Sequence, residues 1–314
     1  MFKFQIKRKY NMKQTKIAII GAGTVGATTA YSLLLNNMVS EILMIDCNDK
    51  KCLGEVDDLA DTLQWSTTSS IRTATYKEAA QADITIICAG KPQQPKQHRA
   101  ELVETNAKVI RSIFNEMGSI SKDLIIIMIT NPVDILTQLA QNLSGLPANQ
   151  VIGSGTLLDT VRWRGYISQE IGIAEHSIEA YIIGEHGEEQ VPVISSANIE
   201  GVPLTEYPKL GQQKLNNLAD KARLKVYDLI DNKGGTEFGV ASCVTTLCKS
   251  IIFNENLVLP VVTFSEEYQT YMSLPVSLGS QGVTQQICIA TNANEQKALK
   301  ACAEKLKNTY KNLK

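Results

Sequence analysis

Gly21-Ala-Gly23-Thr-Val-Gly26 ends a short β-branched run, Ile17–Ile20, and opens a stretch of helical spacing. Glycines placed this way serve three purposes. Gly21 permits a tight turn, Gly23 lets the backbone approach a pyrophosphate, and Gly26 lets a helix pack closely on a strand. The helix that begins there offers unpaired N–H groups and partial positive charge to phosphates, with Val25 in its first turn. Asp46 ends the next apolar run, 20 residues after Gly26. A carboxylate at that place accepts both hydroxyls of an adenosine ribose and repels a 2′-phosphate. The pattern therefore predicts NAD rather than NADP. The strand before it and the helix after it favour this reading over a glycine-rich turn beside a surface aspartate.

Four further segments carry groups suited to chemistry. They are Cys88-Ala-Gly-Lys-Pro-Gln93-Gln-Pro-Lys-Gln-His-Arg99, Thr130-Asn131-Pro-Val-Asp134, Gly155-Thr-Leu-Leu-Asp159-Thr-Val-Arg162 and Gly184-Glu-His186-Gly187. With the glycine pattern, and in the same order and spacing, they resemble the L-lactate/malate dehydrogenase family from about Lys16 to the C-terminus. The resemblance implies hydride transfer between a nicotinamide and a 2-oxo acid. Such a substrate has a carboxylate and a ketone. The carboxylate suits the planar fork of an arginine. The ketone must be polarised and protonated as hydride arrives, which suits a histidine titrating near neutrality. That histidine needs a carboxylate behind it to fix its tautomer and stabilise the imidazolium.

The resemblance assigns one residue to each task. Arg162 binds the substrate carboxylate, His186 donates the proton, Asp159 holds the imidazole, and Arg99 polarises the carbonyl oxygen. Asn131 becomes a polar contact near the nicotinamide and the substrate oxygen. Its bond to Pro132 is often cis in the family. Thr236 matches a substrate-pocket threonine, and Val240 an apolar residue packed on the nicotinamide. Ala89 and Gly90 join Gly21, Gly23, Val25, Gly26 and Asp46 as cofactor contacts. His98 and His176 are expected at the surface.

Gln93 bears on the substrate's far end. Malate-specific relatives carry an arginine there, to pair with a second carboxylate. An uncharged amide suits the methyl of pyruvate and matches oxaloacetate poorly. Pyruvate and lactate are therefore the expected pair. A malate or branched-chain 2-hydroxy-acid dehydrogenase of the same mechanism remains open, and so does a non-catalytic NAD-binding protein. Relatives activated by fructose 1,6-bisphosphate gather basic residues at a subunit interface. Arg164 matches one of these, but Glu179 replaces a histidine, so weak or absent activation is expected.

The elements that must position these residues can be read along the chain. Ile42–Ile45, Asp83–Cys88 and Leu124–Ile129 are apolar runs like Ile17–Ile20. They alternate with helical stretches at Thr24–Leu35, Lys51–Leu63, Leu102–Phe114 and Val133–Leu143. Continuous apolar strands between helices predict a parallel sheet covered on both faces, hence a doubly wound Rossmann half. Beyond it, helices are expected at Leu157–Ile171, Leu210–Ile230, Val240–Phe253 and Asn294–Leu313. Strands are expected at Ala180–Ile183 and Val191–Ile194, with an antiparallel sheet from Leu257–Phe264, Tyr271–Val276 and Val283–Ile289. The expected organisation is an N-terminal tail, 1–15, a NAD-binding domain, 16–152, and a mixed α+β substrate domain, 153–314. The true start is either Met1 or Met12.

Composition narrows the class. The 314 residues carry 31 basic and 32 acidic side chains, and aromatics make up 6%. No strong field of either sign points to nucleic acid or a membrane surface. No apolar run reaches the roughly 18 residues of a membrane span. The seven cysteines form no CxxC pair, and three scattered histidines give no ligand cluster, so no metal is expected. Reduced thiols suit a cytoplasmic protein. The resemblance implies a homotetramer.

Overall fold

Isoleucine-rich runs form the strands that carry the glycine turn. A computed structural model describes residues 15–66, 70–91 and 99–313, with side chains for all of these except Arg99 and Ala100. The first half of the chain alternates β1 (Lys16–Ile20), α1 (Thr24–Leu35), β2 (Glu41–Ile45), α2 (Asp49–Ala60), β3 (Ser70–Thr73), α3 (Tyr76–Ala79), β4 (Ile84–Ile87), α4 (Arg99–Met117), β5 (Ile125–Met128), α5 (Val133–Ser144) and β6 (Val151–Gly153). The six strands are parallel, in the order β3-β2-β1-β4-β5-β6. That is the Rossmann order, whose crevice opens where the order reverses, between β1 and β4. Both faces are covered. Ile17 and Ile19 belong to one apolar core with α1 and α2, and Ala18 and Ile20 to another with α4 and α5. Burial on both sides is why these strands are continuously apolar rather than alternating.

The second half comprises α6 (Leu157–Ile171), β7 (Glu179–Gly184), β8 (Gln190–Ile199), β9 (Val202–Pro203), α7 (Gln212–Lys233), α8 (Phe238–Ile252), β10 (Leu257–Ser265), β11 (Thr270–Gly279), β12 (Gly282–Gln286) and α9 (Ala293–Asn312). Its strands pair antiparallel. A third core joins α6 and α7 to β7 and β8 around Trp163, which is fully buried. α8 packs on the α1 face of the parallel sheet, through Val244, Leu247, Cys248 and Ile251. α9 covers the opposite face with Leu299, Cys302 and Leu306.

Three expectations are corrected. The antiparallel strands do not form a separate sheet. Val262 of β10 pairs with Gly153 of β6, so one twelve-stranded sheet runs through both halves. The parallel sheet otherwise ends in an open edge, and β10 covers it. The strand expected over Val283–Ile289 ends at Gln286. The helix expected over Lys51–Leu63 leaves α geometry at Ala60 and continues as a 3-10 turn, Asp61–Trp65. Three strands went unforeseen: β3, with one buried residue among four, β6, only three residues long, and β9, of two exposed residues.

His176 is exposed, as expected. His98 and Gln93 lie outside the described residues, as does all of the expected tail but Thr15. The Asn131–Pro132 bond is cis. Among the described residues, no helix is long and apolar enough to cross a membrane, and no group of three or more His, Cys, Asp or Glu could hold a metal.

Candidate active site

The carboxyl ends of β1 and β4 bring two loops into contact. Gly21 adopts φ +109°, and a Cβ there would lie 2.6 Å from the Ala89 nitrogen. A Cβ on Gly26 would lie 1.9 Å from the Gly21 oxygen. Nothing lies within 4 Å of a Cβ built on Gly23, so the turn has open space where a pyrophosphate approaches. Asp46 follows β2 and is fixed at both oxygens. Oδ2 accepts the Ala22 N–H at 2.8 Å and Oδ1 the Asn48 N–H at 2.9 Å. Oδ1 also receives the weak Cys47 thiol donor at 3.6 Å, and Oδ2 keeps a lone pair for a ribose hydroxyl. Packed glycines, open space and an anchored carboxylate fit the adenosine and pyrophosphate of a dinucleotide.

The second group of residues is assembled at the start of α6. Asp159 stands in its first turn. On either side, two threonine hydroxyls join the helix to β7. Thr156 Oγ1 donates to the Ile182 carbonyl at 2.5 Å, and Thr160 Oγ1 accepts the Ile182 N–H at 3.0 Å. β7 ends at Gly184, where φ is +93°, and the turn that follows presents His186. This registration sets Asp159 Oδ2 2.6 Å from His186 Nδ1. With Nδ1 bonded to Asp159, Nε2 is the nitrogen left for a substrate. The His186 N–H donates to Asp134 Oδ2 at 3.0 Å, tying the turn to the first turn of α5.

Both carboxylates are buried, whereas the His186 side chain is 29% exposed, toward a cleft. Burial of the ring disfavours its charged form. The Asp159 charge and hydrogen bond outweigh that, Asp134 adds to them, and Arg162 opposes them; the imidazole titrates above its ordinary value. It therefore holds a proton at neutral pH more readily than a free histidine. Arg162 lies three residues beyond Asp159, on the same side of α6. Among the described residues, no carboxylate forms an ion pair with it.

The cleft has a volume of about 130 Å³ and is lined by Val25, Ile129, Asn131, Ser154, Gly155, Leu158, His186, Thr236, Val240 and Cys243. Of the residues singled out in the sequence, Val25, Asn131, His186, Thr236 and Val240 meet there. Asp159 stands behind the ring of His186. Gly21, Gly23, Gly26, Asp46, Ala89 and Gly90 lie along the crevice leading from the ends of β1, β2 and β4. Arg99 is the first residue of α4. Its side chain lies outside the described set, as does Gln93. Thr236 sits in a loop braced by an ion pair between Lys233, which ends α7, and Glu237, which precedes α8.

The sequence reading gave no role to Asp134, nor to Ile129, Ser154, Gly155, Leu158 and Cys243 of the cleft. Asp134 left a signal, as the one charged residue of α5, set in its first turn. Leu158 and Cys243 left none, since each reads as an ordinary core position of a helix. Burial pushes the Cys243 thiol up to about 12, so it stays protonated and unreactive.

Residues 15–153 match the family model for the lactate/malate dehydrogenase NAD binding domain, and residues 156–314 match that for the lactate/malate dehydrogenase alpha/beta C-terminal domain. L-lactate dehydrogenase A of Rhizopus oryzae is 39% identical over 294 residues, covering 94% of this chain and 92% of the relative. L-lactate dehydrogenase of Acetivibrio thermocellus is 38% identical over 307 residues, covering 95% and 97%. The solved structure of minor L-lactate dehydrogenase from Enterococcus mundtii, in a ligand-bound form, superposes with a TM-score of 0.92 at 34% identity. That match covers 96% of this chain and 99% of the other.

Proposed function

The chain belongs to the lactate/malate dehydrogenase family, and on that premise we propose that it is an L-lactate dehydrogenase, reversibly reducing pyruvate to (S)-lactate with NADH. The observation that carries the mechanism is the Asp159–His186 pair, 2.6 Å apart and opening on the cleft, with Arg162 three residues along the same helix.

In this reading Arg162 grips the substrate carboxylate through two parallel N–H bonds. His186 Nε2–H donates its proton to the keto oxygen, and the ring recovers one from solvent after product leaves. Asp159 keeps Nδ1 protonated and steadies the imidazolium before transfer. Arg99 and the Asn131 amide draw electron density toward the keto oxygen. Thr236 shapes the pocket beside the substrate, and Val240 and Val25 offer apolar surface to the nicotinamide. When bound, the reduced cofactor supplies the hydride that reaches the substrate's second carbon. Gly21, Gly23, Gly26, Ala89 and Gly90 hold its pyrophosphate side, and Asp46 its adenosine ribose. In lactate oxidation the neutral His186 acts as the base.

Gln93 argues for pyruvate over oxaloacetate, because no cation at that position awaits a second carboxylate. The same reading divides the chain near Ile152 into NAD-binding and substrate domains. It also makes the protein a cytoplasmic homotetramer, with small molecules rather than nucleic acid or membranes as partners. NADH oxidation measured in parallel with pyruvate, oxaloacetate and 2-oxoisocaproate tests the proposal. Pyruvate should give the highest kcat/KM. A preference for oxaloacetate overturns the substrate assignment, and no turnover of any of the three overturns the enzymatic one.

A further inference from the structure

The loops that follow β4 and β5 are held together by side chains that the mechanism above does not use. Asn106 lies on α4, two turns beyond Arg99, and is 1% exposed. Its Oδ1 accepts the Lys91 N–H at 2.8 Å. Its Nδ2 donates to the Lys91 carbonyl at 3.1 Å and to the Asn131 carbonyl at 2.7 Å. Both N–H groups and the oxygen of the amide are thus engaged, as burial of an amide demands. Thr130 adds a second tie, donating from Oγ1 to the Ala89 carbonyl at 2.8 Å. Gly90 sits between them without spare room. A Cβ there would lie 2.3 Å from Thr130 Cγ2 and 3.3 Å from Asn106 Oδ1.

These bonds bear on the aim of Asn131. Its Oδ1 accepts the Val133 N–H at 3.3 Å, which leaves its Nδ2 as the donor available to the cleft that Asn131 lines. The direction of that donor depends on the backbone of Asn131, and the carbonyl of that backbone is held from α4. We propose that Asn106 is a positioning residue of the reaction, fixing through the Asn131 carbonyl where the Asn131 amide presents its N–H to the substrate oxygen. This rests on the role given to Asn131 under the proposed function. Asn106 does not touch substrate. It acts by sparing the donor a search among orientations, and small misplacements of a reacting partner are costly.

A double-mutant cycle tests this, with melting temperature and NADH binding by fluorescence as controls. Asn106→Ala removes all three bonds. Asn106→Asp keeps the acceptor for the Lys91 N–H but faces the Lys91 and Asn131 carbonyls with an oxygen. Both variants should bind NADH as the wild type does and lose about 10- to 100-fold in kcat for pyruvate. In an Asn131→Ala background the same substitutions should cost little further, because the group being aimed is gone. Equal losses in both backgrounds would overturn the proposal and place the effect elsewhere on α4. So would unchanged kcat in a folded variant. Failure of both variants to yield folded, NADH-binding protein also counts against it, making Asn106 a folding residue alone. If Asn131→Ala itself leaves pyruvate turnover intact, the premise about Asn131 fails instead.

Discussion

Removing the charge behind His186 gives the most direct test of the mechanism. Asp159→Asn is close to isosteric, and the Thr156 and Thr160 bonds that place residue 159 are untouched by it. With charge centres about 4 Å apart and an effective dielectric of about 20, the carboxylate stabilises the imidazolium by about 4 kcal/mol at most. The ring is 29% open to the cleft, so water screens part of this. If about half to three quarters survives, 2–3 kcal/mol is lost, or about 30- to 150-fold in rate at about 1.4 kcal/mol per factor of ten. The asparagine can also turn its N–H toward Nδ1 and select the wrong tautomer, which adds to the loss. The assay is the pH dependence of kcat/KM in both directions, followed by NADH absorbance. Pyruvate reduction needs protonated His186, so it falls as pH rises through the histidine's pKa. In the wild type that pKa is raised, despite burial of the ring, by Asp159 and Asp134. The variant's pKa is lower, so the falling limb should move to lower pH. Lactate oxidation needs the neutral ring, and its rising limb should move the same way. If both limbs stay in place while kcat falls, Asp159 orients the ring but does not set its acidity. Unchanged rates would refute the pairing as part of the mechanism.

Three other outcomes follow from the same residues. Gly26→Ala sets a Cβ 1.9 Å from the Gly21 oxygen, so α1 must shift from the turn. The melting temperature should fall by an amount corresponding to about 3 kcal/mol, with NADH affinity weakened at least about tenfold. Gln93→Arg should raise oxaloacetate turnover and lower that of pyruvate, changing the kcat/KM ratio by at least about a hundredfold; an unchanged ratio removes Gln93 from the specificity argument. Fructose 1,6-bisphosphate should leave the pyruvate KM where it was. Arg164 already donates to the Ala180 carbonyl at 2.8 Å and stacks 4.8 Å from the Tyr181 ring centre, and Glu179 beside them repels phosphate. A large fall in KM on adding the sugar would refute this.

The sequence alone determined whatever depends on neighbours along the chain. Glycine spacing dictated the Gly21–Gly26 turn, because only a missing Cβ permits the Gly21 φ and the Gly26 contact. Isoleucine runs dictated buried parallel strands, and the Asp159–Arg162 spacing put both groups on one side of a helix. Tertiary structure decided what depends on partners distant in the chain. Asp134 reaches His186 across 52 positions, and Asn106 reaches Asn131 across 25. Neither pairing leaves a periodicity, because one hydrogen bond between distant residues needs no repeating pattern. The joining of both halves into one sheet was likewise hidden, since it rests on a single pairing of Val262 with Gly153. A glycine ending a three-residue strand carries no side-chain signal to announce which strand will cover its edge.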